Sequence, residues 1–135
     1  MKVTIAGGLM LCALLPIGVL ISAQKSESPQ TAGASLFQAH CAVCHGRDAK
    51  GGGPMAQSLK VSPPDLTRIA VRNSSHFPLA RVQKIIAGEV PIPAGHGTRE
   101  MPVWGPVFSQ IVWDQDLGQV RVYNLAKFIE QKQVK

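Results

Sequence analysis

Cysteine and aromatic residues are scarce in this sequence of 135 residues, which contains 3 Cys and only 5% Phe, Trp and Tyr. Three cysteines are too few for a small fold held together by disulfides. The sequence also lacks a glycine period and a long heptad run, which excludes collagen and coiled-coil structures. An apolar content of 45% excludes a disordered chain, and the length leaves room for one domain but not for a large two-domain enzyme.

Glycine and proline, in contrast, interrupt the chain often, with 13 Gly and 10 Pro. Long uninterrupted elements are therefore not expected. The period-2 alternation typical of strands is absent throughout, whereas several segments repeat apolar residues with helical spacing. We therefore predict an all-α domain of short helices joined by irregular loops, a kind of fold that often includes a cofactor in its core.

The first 23 residues differ from the rest, since no charged residue occurs between Val3 and Ala23. A single Lys2, a long apolar run and small residues before Gln24 are typical of a secretory signal peptide. The same 21 uncharged residues are long enough to cross a bilayer as a helix, so an uncleaved N-terminal membrane anchor is the alternative. Both interpretations predict that the rest of the chain is exported.

Residues 24–32 are polar and lack periodicity, so we interpret them as a flexible spacer. Four helices are predicted from apolar spacing and from start and stop signals. They are Gly33 to His40 with Thr31 as its N-cap, a short helix capped by Asp65, a helix from Pro78 that ends at Gly88, and the longest helix from Asp116 to about Gln133. Residues 89–107 are rich in Pro and Gly and are predicted to be irregular; such long segments in small domains are usually functional.

Cys41, Cys44 and His45 form the pattern C-x-x-C-H. Two thiols separated by two residues match the spacing of the two vinyl groups of a haem, and each thiol can add to one of them. The histidine that follows is placed to bind the iron. Export agrees with this interpretation, because this attachment takes place outside the cytoplasm. We therefore predict one covalent haem c, held by Cys41 and Cys44, with His45 as an axial ligand.

Other uses of a cysteine pair predict different surroundings. A disulfide or a thioredoxin-like redox site expects a strand before the motif and gives His45 no role. A zinc site needs four ligands, whereas this motif supplies three, and the sequence offers no second cluster.

The second axial position of the iron needs a ligand from farther along the chain. Met101 and His96 both lie in the irregular segment 89–107, and Pro102 holds the backbone after Met101 extended. Because histidine and methionine are a standard axial pair, we predict Met101 as the sixth ligand, with His96 as its rival. The other candidates are Met55, expected to pack in the loop on the same side as His45, and His40 and His76, expected at the surface.

Together these residues give the sequence a resemblance to the class I monohaem cytochromes c, in particular small exported bacterial members, from Gly33 to Gln131. Gly33 and Phe37 lie eight and four residues before Cys41, as in the first helix of that family. The residues that match its last helix are Leu125, Phe128 and Ile129, and the stretch 101–105 reads Met-Pro-Val-Trp-Gly as in bacterial members.

The resemblance implies the small cytochrome c fold over residues 33–135, with short helices and loops wrapped around one haem. It also implies that the first and last helices cross closely, with the glycine letting an aromatic ring approach. The implied location is the periplasm, either in solution or facing it from a membrane anchor formed by residues 3–23.

The implied function is electron transfer rather than enzymatic catalysis, by a carrier or a cytochrome subunit in a respiratory or dehydrogenase chain. The alternative is a haem enzyme or sensor with an open or labile sixth site, such as a small peroxidase or a gas-binding cytochrome, which requires that Met101 does not bind the iron. Without residues 1–23 the chain has 13 basic and 8 acidic residues, a net charge of +5. This charge favours acidic redox partners such as an oxidase, reductase or dehydrogenase, whereas nucleic acid is not expected because the sequence has no basic run.

Overall fold

The computed structural model describes residues 28–90, 101–110 and 115–134, and within these ranges every regular element is helical. The elements in chain order are α1 Pro29–Leu36, a π-helical segment Phe37–Cys41, α2 Ala42–His45, 3₁₀ turns at Ala56–Ser58, Leu66–Arg68 and Val71–Asn73, α3 Leu79–Ala87, α4 Trp104–Gln110 and α5 Gln115–Gln131. The predicted all-α fold is confirmed. Among the described residues, no helix combines the length and apolar character that a membrane span requires. The predicted signal peptide or anchor, residues 1–23, lies outside these ranges.

The first helix begins earlier than the sequence analysis predicted. Ser28 is its N-cap, and the Oγ of Ser28 accepts a hydrogen bond of 3.2 Å from the N–H of Thr31. Pro29 follows at the first helical position, where a missing N–H removes no bond of the helix. The prediction of Thr31 as the cap was therefore wrong, because the Ser-Pro pair supplies the stronger start. Residues 29–32, which the sequence analysis assigned to the spacer, belong to α1.

Two other predicted boundaries need correction. Pro78 is the N-cap of α3 rather than its first residue. Helix α4 begins at Trp104, inside the segment 89–107 that was expected to be irregular. Pro106 does not prevent this helix, because the first four N–H groups of a helix have no partner within it. The predicted end of α3 is confirmed, since Gly88 caps it with φ 79°, a left-handed conformation that favours glycine.

The core lies where α5 packs against α1, α3 and α4. Most of its side chains are aliphatic or aromatic and come from these four helices and the π-helical segment. The larger members are Phe37, Val82, Ile86, Phe108, Val122, Leu125, Phe128 and Ile129. Cys41 belongs to the same cluster, so the predicted haem motif begins inside the core.

Helices α1 and α5 cross at Gly33. A β-carbon at this position would overlap the backbone oxygen of Asn124 and would lie 2.9 Å from the Cβ of Phe128. Beside this contact, the rings of Phe37 and Phe128 pack with centroids 5.2 Å apart. The close crossing that the family resemblance implied is therefore present, and only glycine fits at its centre.

The segment after the glycine-rich loop is tied to the end of α5 by Gln133. Its Nε2 donates to the carbonyls of Leu66 and Ile129, and its Oε1 accepts from the N–H of Ala70, each at 2.8 Å. Asp65 begins this segment, as predicted, and accepts bonds from the hydroxyl and the N–H of Thr67 at 2.6 and 2.8 Å. These two bonds hold the pKa of the Asp65 carboxyl below its usual value, and the bond from the Thr67 hydroxyl has the larger effect.

Replacing Gly33 by alanine tests the crossing of α1 and α5. Helix propensity alone predicts a gain of about 1 kcal/mol for Gly33→Ala. We expect instead a loss of roughly 1–3 kcal/mol in the free energy of unfolding, because the new methyl group forces the two backbones apart. Denaturant unfolding measures the difference. Ser35→Ala, on the exposed side of α1, is the control and should change the free energy by less than about 0.5 kcal/mol; equal stability of the two variants would contradict the argument.

Candidate functional site

Cys41, Cys44 and His45 lie at the end of one continuous helical stretch that starts with α1. Cys41 closes the π-helical segment, and Cys44 and His45 end α2. A separation of three residues brings the two cysteine side chains to the same side of the helix. The two thiols are not joined in a disulfide. Each is therefore available to form its own covalent bond.

The environment of Cys41 argues against a reactive redox thiol. Cys41 is only 8% exposed. This burial, with the Cys44 thiol beside it, raises the pKa of the Cys41 thiol to about 12. A thioredoxin-like site requires the opposite, a thiol whose pKa is lowered so that the thiolate can attack. The element before the motif is helical rather than a strand, which also disagrees with that alternative.

His45 is oriented by the fold around it. Its Nδ1 atom is buried, whereas the residue as a whole is only partly buried. The accessible surface of the residue therefore does not include Nδ1. A zinc site would need further protein ligands, and no group of three or more His, Cys, Asp or Glu side chains within the described ranges is arranged to hold a metal ion.

The loop after the motif folds back along α2. Its N–H groups bind the carbonyls at the C-terminal end of α2, which have no partner within the helix. The bonds run from Gly51 to His45, from Gly53 to Cys44 and from Met55 to Val43, at 2.8, 3.1 and 2.9 Å. The helix end is thus held by backbone groups, and the side chains of the motif are left for other contacts.

Two adjacent glycines of this loop differ in their surroundings. A β-carbon on Gly53 would lie 2.5 Å from the carbonyl oxygen of Val43 and 2.7 Å from that of Ala42. A β-carbon on Gly52 would meet no atom within 4 Å. Glycine is therefore required at position 53, where the loop approaches the motif, but not at position 52.

Met101, the predicted sixth ligand, is partly buried and packs against the core. The residues that follow are fixed on the end of α3. A β-carbon on Gly88 would overlap the side chain of Val103, and one on Gly105 would lie 2.8 Å from the carbonyl oxygen of Ala87. The rival ligand His96 lies outside the described residues, so the choice between the two stays a prediction.

The other candidate ligands have different surroundings. Met55 lies in the loop after the motif but is 46% exposed, so the prediction that it packs there was wrong. His76 is exposed. His40, which the sequence analysis expected at the surface, is partly buried, and its ring packs against those of Trp104 and Phe108 at centroid distances of 5.3 and 5.5 Å. This contact was missed because no local pattern connects residues 64 positions apart.

These observations fit a covalent haem. Two separate thiols one helical turn apart are followed directly by a histidine, and a methionine packs against the core to which Cys41 belongs. A family model described as Cytochrome c matches residues 30–131 of the chain. No curated protein and no solved structure matches it.

The close approach at Gly53 predicts that alanine destabilises the protein at position 53 but not at position 52. Gly53→Ala should lower the free energy of unfolding by roughly 1–3 kcal/mol, because the methyl group pushes the loop away from the carbonyls it binds. Gly52→Ala is the matched control and should stay within about 0.5 kcal/mol of the unchanged protein. Thermal unfolding of the purified proteins compares them. A Gly53→Ala protein as stable as Gly52→Ala would show that the loop does not support the motif.

Proposed function

This chain belongs to the cytochrome c family, and from that premise we propose that it transfers electrons through one haem c. Cys41 and Cys44 form the thioethers, and His45 and Met101 are the axial ligands. The observation that carries this proposal is the C-x-x-C-H motif at the end of a helix, with two unpaired sulfurs and its helix end held by the following loop.

The proposed ligands support a carrier role rather than an enzymatic one. The haem, when bound, supplies an iron that gains and loses one electron. The thioether of Met101 is a soft ligand that favours ferrous iron and therefore a positive reduction potential. With His45 and Met101 both bound to the iron, no coordination position is left for a substrate or for oxygen.

We further propose that the chain is exported, by a signal peptide or with an anchor in residues 3–23, and works in or facing the periplasm. Its redox partners present acidic surfaces, either as separate proteins or as subunits of one complex. The charge of +5 without residues 1–23 supports this choice. Arg47 and Lys50, in the loop after the motif, are both exposed.

Covalent attachment is tested with the full chain produced beside haem-attachment machinery. The haem should stay with the polypeptide on a denaturing gel, and the protein should be reduced and reoxidised reversibly by one electron. Cys41→Ala and Cys44→Ala should each give a single thioether or no holoprotein. A folded but colourless protein from such cells would overturn the proposal.

The axial ligand is tested with Met101→Ala. The haem should remain attached, because the thioethers are untouched. The reduction potential should fall by roughly 0.1 V or more, since axial ligands and their surroundings set haem potentials over about 0.8 V. The weak band at the red end of the ferric spectrum, which reports a bond from methionine sulfur to iron, should disappear, and carbon monoxide should bind.

His96→Ala is the control for the rival ligand and should leave the potential and the spectrum unchanged. The opposite result would be that Met101→Ala leaves the potential and the spectrum unchanged while His96→Ala alters both. That result would mean that the iron is bound by two histidines. An unchanged protein that binds carbon monoxide readily and lacks the methionine band would favour a haem enzyme or sensor with an open sixth site.

A further inference from the structure

We propose that His40 is a positioning residue for the sixth iron ligand, holding the segment that carries Met101 against the helix that carries the haem motif. This inference rests on the proposed ligation by Met101. It assigns a role to a histidine that is neither in the C-x-x-C-H motif nor an expected ligand.

Three rings form the contact that carries this inference. Trp104 and Phe108 lie one turn apart on α4, with ring centroids 5.4 Å apart and planes inclined by 24°. The ring of His40 meets Trp104 at 5.3 Å and 53°, and meets Phe108 at 5.5 Å and 66°. These tilted and edge-on geometries are the favourable arrangements for aromatic pairs. Phe108 is fully buried, so the three rings rest on the core.

This contact connects the haem motif to the segment that carries Met101. His40 directly precedes Cys41, the first residue of the haem motif, in the π-helical segment. Trp104 opens α4, three residues after Met101. Three residues of chain span at most about 10 Å, so Met101 lies close to Trp104. The rings therefore join the backbone beside a haem thioether to the backbone beside the sixth ligand.

Two further contacts of the Met101 segment come from another element. Val103 packs over Gly88, and Gly105 lies against the carbonyl of Ala87, both at the end of α3. Those contacts place the segment relative to α3, whereas the His40 contact places it relative to the helix with the haem motif. An axial ligand needs support of this kind, because its bond depends on positioning to within a fraction of an ångström.

Exogenous imidazole measures this positioning. It binds ferric iron only while Met101 is displaced, so its apparent dissociation constant falls as the displaced fraction rises. The loss of one ring contact should raise the displaced fraction of Met101 by a factor of about 2 to 10. We expect His40→Ala holoprotein to bind imidazole about tenfold more tightly than the unchanged protein, with a weaker methionine band. His40→Phe keeps a ring and should stay within about twofold of the unchanged protein.

Two controls separate positioning from general stability. His76→Ala removes an exposed histidine and should not alter imidazole affinity. Phe128→Leu weakens the contact with Phe37 between α1 and α5, and should lower the unfolding temperature without tightening imidazole binding. If His40→Ala yields no holoprotein, His40→Leu fills similar space without a ring and should also tighten imidazole binding by severalfold.

The reference variant Met101→Ala distinguishes the two proposals. If Met101→Ala leaves imidazole affinity unchanged, the proposed ligation is wrong. If Met101→Ala tightens binding strongly but His40→Ala and His40→Leu stay within about twofold of the unchanged protein, the ligation stands and the role of His40 is refuted. A lower unfolding temperature of His40→Ala with unchanged imidazole affinity has the same meaning, because it indicates packing alone.

Discussion

The backbone contact between Gly33 and α5 sets the position of the whole site. Gly33 lies against the backbone of Asn124 with no room for a side chain, so this glycine fixes the position at which α1 packs closely on α5. Because α1 continues through the π-helical segment into α2, the crossing also determines where Cys41, Cys44 and His45 lie. A larger residue at the crossing would move the start of the motif together with the helix.

The other end of the motif is held by the loop rather than by another helix. N–H groups of Gly51, Gly53 and Met55 bind the last carbonyls of α2. Backbone N–H groups of the loop therefore pair with the free carbonyls of the helix end, and the helix end does not depend on the side chains of the motif. This arrangement leaves the thiols of Cys41 and Cys44 at the helix end without a disulfide, available for the proposed haem.

Features that depend on neighbouring residues could be predicted from the sequence. The C-x-x-C-H motif, the helical fold, the cap at Asp65 and the end of α3 at Gly88 all have local signals. The start of α1 was misplaced because Thr31 and Ser28 are both suitable caps, and the position of Pro29 decides between them. The contact of His40 with Trp104 could not be predicted, since it depends on how α4 packs and no sequence period connects the two residues.

The residues that would retain the proposed haem are neighbours in sequence, whereas those that would control its iron depend on packing between distant segments. Cys41, Cys44 and His45, the proposed attachment residues, lie within five consecutive residues, so their relative placement follows from one helical turn. Met101, the proposed sixth ligand, lies in a different segment, which the described residues hold by packing against Gly88, Ala87 and the ring of His40. With the proposed ligands, a change in that packing would leave the covalent attachment intact and would alter the sixth ligand alone. The reduction potential can therefore vary through residues distant in sequence while the cofactor stays bound.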